Sequence, residues 1–131
     1  GAVDGILEAT LGAMVQKGSR PRKVQAVVGP AIQQKSYQVG DDLRHCALTL
    51  NPAAADFFVI DPTAPDKYLF DLPGFVVWRL RQAGIVQIAN LPIDTYSESP
   101  NLFSYRHATH AARPDTGRQI SVIGLLPSLA M

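Results

Sequence analysis

Apolar residues near the start of the chain recur at the three- and four-residue spacing of an amphipathic helix. They are Val3, Ile6, Leu7, Leu11, Met14 and Val15. Gly18 stands where helices commonly end, and Pro21 follows shortly after it. The pattern therefore predicts a helix over residues 3–17. Asp4 is the only candidate for a capping side chain, and Gly1 leads almost directly into the first turn.

The middle of the chain alternates short β-like runs with two more helical patterns. A helix is predicted over residues 41–50, DDLRHCALTL, where the start is acidic and Asn51-Pro52 ends the pattern. A further helix is predicted over residues 72–83, with Pro73 in the first turn and Gly84 as the stop. Runs rich in β-branched and aromatic residues predict strands at 23–29, 56–61, 67–72 and 85–90, and a shorter extended piece at 36–40.

Two more β-like runs close the chain. They are LFSYRHATH, residues 102–110, and RQISVIGLL, residues 118–126, and a turn containing Pro-Asp-Thr-Gly joins them. The pattern predicts a terminal hairpin. Helices that alternate with strands, followed by such a hairpin, indicate an α+β fold with a mixed sheet.

Composition narrows the class of protein. The 131 residues are 47% hydrophobic and 18% charged, as expected for one globular domain. A net charge of +1 argues against nucleic acid or a membrane surface as a partner, so any anion must be recognised by a local cluster. The single cysteine, Cys46, excludes an intrachain disulfide and fits a cytoplasmic location. No apolar run approaches the ~18 residues of a membrane span.

His107 and His110 raise the question of a metal site. On a strand, however, positions three apart point to opposite faces, and zinc requires at least three protein ligands. No third ligand lies nearby in the sequence. A pair of surface histidines is the preferred interpretation, and no metal is assigned to this chain.

Arginines in the same segment favour an anion site. Arg106, Arg113 and Arg118 would cluster across the predicted hairpin, and guanidinium groups match phosphate or carboxylate in a bidentate manner. Ser104 and Tyr105 add hydroxyl groups. A solvated polar surface with weak ion pairs to Asp115 explains the same residues equally well.

Two other features carry less information. Residues 29–37, GPAIQQKSY, form a polar loop after a predicted buried strand, in a position typical of sites, although turn structure alone explains Gly29 and Pro30. Cys46 is predicted to face the core as an inert thiol, and His45 beside it lies on another face of the helix.

Three motifs, taken in order, resemble one family. They are GAVDGILEATL at the start, VVGPAIQQKSYQVG after it, and LFSYRHATH with GRQISVIGL near the end. The chain resembles the C-terminal half of the YfiH-like proteins, which are labelled multicopper polyphenol oxidases or laccase-domain proteins and also described as purine nucleoside phosphorylases. The family pattern Phe-Phe-Ser-Tyr-Arg-Arg matches residues 102–106 apart from Leu102, and His107 replaces the second arginine. The pattern Thr-Gly-Arg matches residues 116–118.

The resemblance implies a fold and an activity. The family fold is a four-layer α/β/β/α domain about twice this length, of which residues 1–131 would be the C-terminal portion. The family activity is metal-dependent phosphorolysis or deamination of a purine nucleoside, with oxidation of phenolic molecules as the older label. The zinc or copper ligands of the family would all precede Gly1, so no residue of this chain inherits them.

The resemblance also implies roles for this half. Tyr105 and Arg106 would face the substrate, Arg118 would hold phosphate or brace a strand, and residues 29–37 with Tyr37 would form a wall. Alternatively, the chain is a non-catalytic fragment that docks with a separate N-terminal half. An exposed strand edge and an apolar face would then be expected.

Overall fold

The computed structural model describes residues 1–98 and 101–127. Within them lie four α-helices and five strands. In chain order these are α1 (Ile6–Gln16), β1 (Gln25–Val28), β2 (Gln38–Val39), α2 (Asp41–Leu50), β3 (Phe58–Asp61), β4 (Ala64–Phe70), α3 (Leu72–Gln82), β5 (Gln87–Asn90) and α4 (Tyr105–His110). The first three helices and all five strands overlap their predicted ranges, although β4 begins three residues before the predicted start at residue 67.

Glycines end the first and third helices as predicted. Gly18 has a φ of 99° and Gly84 a φ of 94°, a left-handed conformation that glycine adopts without a steric penalty. The start of α1 differs from the expectation. Gly5 occupies the capping position without a side-chain hydrogen bond, and Asp4 instead accepts a 2.7 Å hydrogen bond from the N-terminal amine.

The described strands form two small sheets. β1 pairs in parallel with β5, and β4 lies between β2 and β3 with antiparallel pairing on both sides. Parallel and antiparallel pairs together with helices confirm the predicted α+β class. The four-layer arrangement of a whole domain stays a prediction.

A cluster of aromatic rings holds the antiparallel sheet against α2 and α3. Phe70 and Phe75 are each 1% exposed, and their ring centroids lie 5.5 Å apart. Phe58 stacks on Phe70 with centroids 4.4 Å apart, and Trp78 packs against Phe75. Offset and edge-on contacts of this kind contribute about 0.5–1.5 kcal/mol each beyond the area that they bury.

A second cluster joins α1 and α3 to the parallel sheet. Leu11, Leu80 and Ile85 form its buried centre. At its border the guanidinium of Arg79 donates to the carboxylate of Glu8, which links α3 to α1. Burial raises the pKa of Glu8, but this hydrogen bond, a backbone hydrogen bond and the positive charge of Arg79 together outweigh burial, so the pKa lies below its ordinary value.

The predicted terminal hairpin is wrong. Residues 105–110 form α4, whose first turn is capped by Ser104: its Oγ accepts from the backbone N–H of His107 at 3.2 Å. Ala108 is the buried position of this short helix. Residues 118–126, the second predicted strand, contain no strand and are exposed.

The prediction of a buried Cys46 is also wrong. Cys46 is exposed, because α2 turns Leu43 and Ala47 toward the aromatic core and leaves Cys46 and Leu50 on the neighbouring, solvent-facing stripe. Among the described residues, no helix has the length and apolar character needed to cross a membrane.

Candidate functional site

Two loops meet at the carboxyl ends of β1 and β5. Because parallel strands end at the same edge of a sheet, residues 29–37 and residues 91–98 leave the sheet side by side. A further parallel bridge pairs Ala31 with Asp94, and the N–H of Ala31 donates to the carbonyl of Ile93 at 3.1 Å. This edge is where α/β sheets commonly bind ligands.

Asp94 holds the first loop in place. It is 5% exposed, and its carboxylate accepts from the hydroxyl of Ser36 at 2.5 Å and from the N–H of Gln33 at 3.3 Å. The N–H of Tyr96 donates to the same carboxylate at 3.0 Å. One buried side chain therefore fixes residues 29–37 against the segment that follows β5.

The hydrogen bonds also set the charge state of Asp94. Burial raises the pKa of this carboxyl, because it disfavours the ionised form. The hydrogen bonds from Ser36, from the backbone of Tyr96 and Gln33, and from Ser97 together outweigh burial, and the pKa lies below its ordinary value. Asp94 is consequently ionised at neutral pH.

Tyr37 and Arg106 form a pair beside this loop. The guanidinium carbon of Arg106 lies 5.3 Å from the ring centroid of Tyr37, and its Nη1 donates to the carbonyl of Gln38 at 2.7 Å. The ring of Tyr37 also packs against the aromatic core, since its centroid lies 5.8 Å from that of Phe70. Two residues predicted to face a substrate are thus brought together by packing.

Tyr105 and Arg118 lie in a different place. With Phe103, Thr116, Gly117 and Gln119 they line a shallow hollow of about 330 Å³. The Nη1 of Arg118 donates to the carbonyls of Thr116 at 2.6 Å and Gly117 at 3.2 Å, and it lies 3.7 Å from Asp115. The guanidinium is therefore engaged with its own turn.

The amide of Gln119 closes that hollow. It accepts from the N–H of Phe103 at 2.7 Å and donates to the carbonyl of Phe103 at 3.2 Å. A side chain at Gly117 would collide with the ring of Phe103, since its Cβ would overlap the ring atoms. The absence of a side chain at Gly117 is what lets the aromatic ring lie over the backbone.

The predicted arginine cluster is not formed. Arg106 contacts Tyr37 and Gln38, whereas Arg118 contacts its own turn and Arg113 is exposed. The prediction assumed a hairpin that would place all three on adjacent strands. With α4 in that position, the arginines project from a helix and from the irregular segment after it.

The two histidines of α4 share a partner. On a helix they fall on one face rather than on opposite faces, and Tyr96 packs edge-on against both, with centroid distances of 5.4 Å to His107 and 5.6 Å to His110. The hydroxyl of Tyr96 lies 2.8 Å from Nδ1 of His110. They fasten α4 to the segment after β5, a role that the strand interpretation missed.

The described residues offer no metal site with the three protein ligands that zinc requires. Across residues 1–98 and 101–127, no group of three or more His, Cys, Asp or Glu side chains is placed to hold an ion. The side chains present therefore do not fit the zinc or copper that the resemblance implies.

Replacing Tyr96 by alanine should loosen α4. Two aromatic contacts would be lost, which corresponds to about 1–3 kcal/mol, so amide exchange at Ala108 should rise about tenfold or more. Hydrogen exchange of the folded chain measures this directly. Tyr105→Ala is the matched control, because that ring lies on the same helix and is 74% exposed. Equal exchange in both variants would contradict the role given to Tyr96.

Comparison with known proteins decides the family. Residues 1–126 match the family model described as multi-copper polyphenol oxidoreductase laccase. The chain belongs to this family. Proteins named YfiH are among its relatives, which confirms the resemblance to the YfiH-like proteins.

Relatives in this laccase family carry a second name. The chain is 32% identical to a purine nucleoside phosphorylase of Rickettsia conorii, over 94% of this chain and 50% of that protein. It is 31% identical to purine nucleoside phosphorylase YfiH of Escherichia coli K12, over 96% of this chain and 47% of that protein. The solved structure of Bacillus licheniformis hypothetical protein YfiH superposes with a TM-score of 0.75 at 26% identity, over 83% of this chain and 42% of the other.

In each comparison the matched region covers a larger fraction of this chain than of the relative. Nearly all of this sequence is matched, yet the chain spans about half the length of the curated relatives that it matches. Activities named for those relatives therefore describe proteins with about twice as many residues.

Sequence reasoning missed Asp94 and Tyr96. The only available signal was position: Asp94 follows the run IVQIAN within a few residues, as residues 29–37 follow the first strand. Recognising that β1 and β5 are parallel neighbours would have placed both loops at one edge. That pairing joins residues about sixty positions apart and is not visible in local periodicity.

Proposed function

We propose that this chain is the C-terminal part of a metal-dependent purine nucleoside phosphorylase of the YfiH-like family. Its relatives in the laccase family carry that name, and the strongest structural support is the Tyr37–Arg106 pair beside the carboxyl edge of β1 and β5. An aromatic face and a guanidinium held together suit a nucleoside and an oxyanion respectively.

In this proposal, Arg106 holds phosphate. Its Nη1 is committed to the carbonyl of Gln38, which orients the fork and leaves other N–H donors for an oxyanion. Tyr37 bounds the substrate beside Arg106, whereas Tyr105 and Arg118, which line a separate hollow, make no contact with it in this proposal. In phosphorolysis a phosphate oxygen forms a bond to C1′ of the ribose while the bond from C1′ to the base breaks, and the base leaves with a proton.

The metal belongs to the proposal and is not assigned to described residues. The resemblance puts its zinc or copper ligands before Gly1, and a bound ion there would supply a polarised water or phosphate. If water attacked the adenine ring, the reaction would be deamination of adenosine. If the metal were copper, the reaction would be oxidation of a phenol. A cytoplasmic location, where thiols stay reduced, suits the single unpaired cysteine.

The test uses the full-length protein with adenosine and phosphate. Adenine with ribose 1-phosphate reports phosphorolysis, whereas inosine reports deamination; a phenolic substrate in air reports oxidation. We expect phosphorolysis, and we expect Arg106→Ala to lower its kcat/KM about tenfold or more, since one charged hydrogen-bonding partner of phosphate is lost.

Arg113→Ala is the control, because the side chain of Arg113 is exposed and contacts neither Tyr37 nor Arg106. Equal activity of the two variants would contradict the role of Arg106. Release of inosine in place of adenine would identify deamination as the reaction, and adenine release that does not depend on phosphate would identify hydrolysis; either result would contradict phosphorolysis.

A second candidate is a non-catalytic half that docks with a separate N-terminal segment. A specific observation favours it: apolar side chains on the irregular segment after α4 are strongly exposed. These are Ile120 (87%), Val122 (85%), Ile123 (64%), Leu125 (85%) and Leu126 (92%). Val27 on β1 is also 49% exposed. Co-purification of a second polypeptide, seen by intact mass, supports docking, and a single polypeptide of greater mass than 14.2 kDa that turns over substrate argues against it.

A further inference from the structure

Positive charge is concentrated in one part of the sequence. Between Glu8 and Asp41 lie five lysines and arginines and no acidic residue, so with an overall charge of +1 the rest of the chain is net negative. Four of the five cations fall within residues 17–23, here named the basic turn. They are Lys17, Arg20, Arg22 and Lys23, and all four side chains are exposed.

Helix ends do not account for this charge. The basic turn follows the C-terminus of α1, and Gly84, next to the C-terminus of α3, packs against it beside Pro21. Each helix C-terminus is equivalent to roughly −0.5 of an elementary charge, so the two offset about one of the four cations. Within the described residues no carboxylate forms an ion pair with the basic turn; the four ion pairs present lie elsewhere.

Arg20 and Lys23 stand between two hollows. The larger, of about 570 Å³, has an apolar wall made mainly by Met14, Val24 and Ile123. The smaller, of about 510 Å³, lies between the basic turn and the end of α3. Arg20 and Lys23 line both. A volume of a few hundred cubic ångströms with apolar walls and a few charged groups at the rim suits a small organic ligand.

This place is distinct from the candidate site. The basic turn precedes β1 and the loop of residues 29–37 follows it, so the two lie at opposite ends of the strand. Four residues at about 3.3 Å each separate them by roughly 13 Å along the strand. No role in the proposed reaction has been given to any residue of the basic turn.

We propose that the larger hollow and the basic turn bind a small organic phosphate monoester, with the phosphate at Arg20 and Lys23 and the organic part against Met14, Val24 and Ile123. Charge complementarity selects the anion, and the apolar wall selects an organic group over free phosphate. None of the described residues that line the hollow is aromatic, so these residues provide no surface on which the bases of single-stranded nucleic acid could stack.

The test measures binding of three probes to the full chain by calorimetry: AMP, adenosine and inorganic phosphate. We expect AMP to bind at least tenfold more tightly than either of the others. The double variant R20A/K23A should raise the dissociation constant for AMP at least tenfold. Met14→Gln should weaken the binding of AMP while leaving the affinity for inorganic phosphate unchanged.

Control variants separate this site from the first one. Arg113→Ala removes an exposed cation elsewhere and should leave AMP binding within about twofold; thermal melting checks that each variant is folded. The proposal is overturned if AMP binds no better than adenosine, if R20A/K23A binds AMP like the parent protein, or if AMP binding is lost in Arg106→Ala instead. The measurement needs no turnover, so its outcome is independent of the proposed phosphorolysis.

Discussion

Replacing Phe70 by alanine is expected to lower the free energy of unfolding by about 3–5 kcal/mol. Phe70 is 1% exposed and lies at the centre of the aromatic cluster, stacked on Phe58 and in contact with Phe75. Removing the ring leaves a cavity that the paired strands on either side cannot fill by collapse. The same ring supports Tyr37, so the change also loosens the Tyr37–Arg106 pair.

Urea unfolding followed by tryptophan fluorescence measures this loss. Trp78 is the only tryptophan, and its ring packs against Phe57 and Phe75, within the cluster that Phe70 supports. Phe103→Ala is the matched control, because that ring is 53% exposed and should cost less than about 1 kcal/mol. Similar values for the two variants would show that the aromatic cluster is not the main source of stability.

Replacing Asp94 by asparagine is expected to lower the free energy of unfolding by about 2 kcal/mol at neutral pH. The carboxylate accepts hydrogen bonds from Ser36, Gln33 and Tyr96, and hydrogen bonds to a charged group contribute about 1.5–3 kcal/mol. Asparagine keeps one acceptor oxygen but places an amide N–H₂ opposite one of the donors. Residues 29–37 would then lose part of their anchor.

The stabilisation of the fold by Asp94 should decrease at low pH. Because its pKa is lower in the folded state, the ionised carboxylate stabilises the fold fully above the unfolded value of about 3.9. That stabilisation is lost as the pH falls through the folded pKa. The difference between the parent protein and Asp94→Asn should therefore be constant from pH 7 down to about pH 5 and narrow as the pH falls below about 4 in urea titrations.

Asp66→Asn provides the comparison for this series, since Asp66 is exposed on β4 and makes none of these hydrogen bonds. This exposed substitution should change the free energy of unfolding by less than about 0.5 kcal/mol. A constant difference for Asp94→Asn down to pH 3 would mean that packing, and not the charge, accounts for the effect.

Local patterns predicted most elements because their signals are local. The helix over residues 41–50 matches α2 at both ends, since acidic residues at the start and Asn51-Pro52 at the end are properties of neighbouring residues. The same holds for α3, where Asp71 caps the helix by accepting from the N–H of Gly74 at 3.0 Å. Strand positions followed from runs of β-branched and aromatic residues.

The tail shows where local signals fail. Residues 102–110 include Phe103, Tyr105 and Thr109, residue types that favour a strand. Ser104 nevertheless caps a helix there, and Tyr96 packs against its histidines. That contact joins segments whose proximity depends on the loop after β5. Intrinsic preference was outweighed by packing that no local pattern reports.

The candidate site was partly predictable for the same reason. Tyr37 and Arg106 were chosen through the family resemblance, and the structure brings them into contact. Tyr105 and Arg118 were chosen on the same grounds but line a separate hollow. Asp94 could not be chosen from sequence, because its importance arises from donors on a loop nearly sixty residues earlier.

The exposed segment after α4 has a consequence for handling the protein. Residues 119–126, QISVIGLL, are uncharged, rich in β-branched and aliphatic side chains and free of proline, which is the composition of segments that pair into cross-β fibrils. In the described structure their backbone belongs to no sheet. Where this segment is uncovered, it can pair with the same segment of another copy of the chain. The chain is therefore expected to aggregate faster at higher concentration and on longer storage.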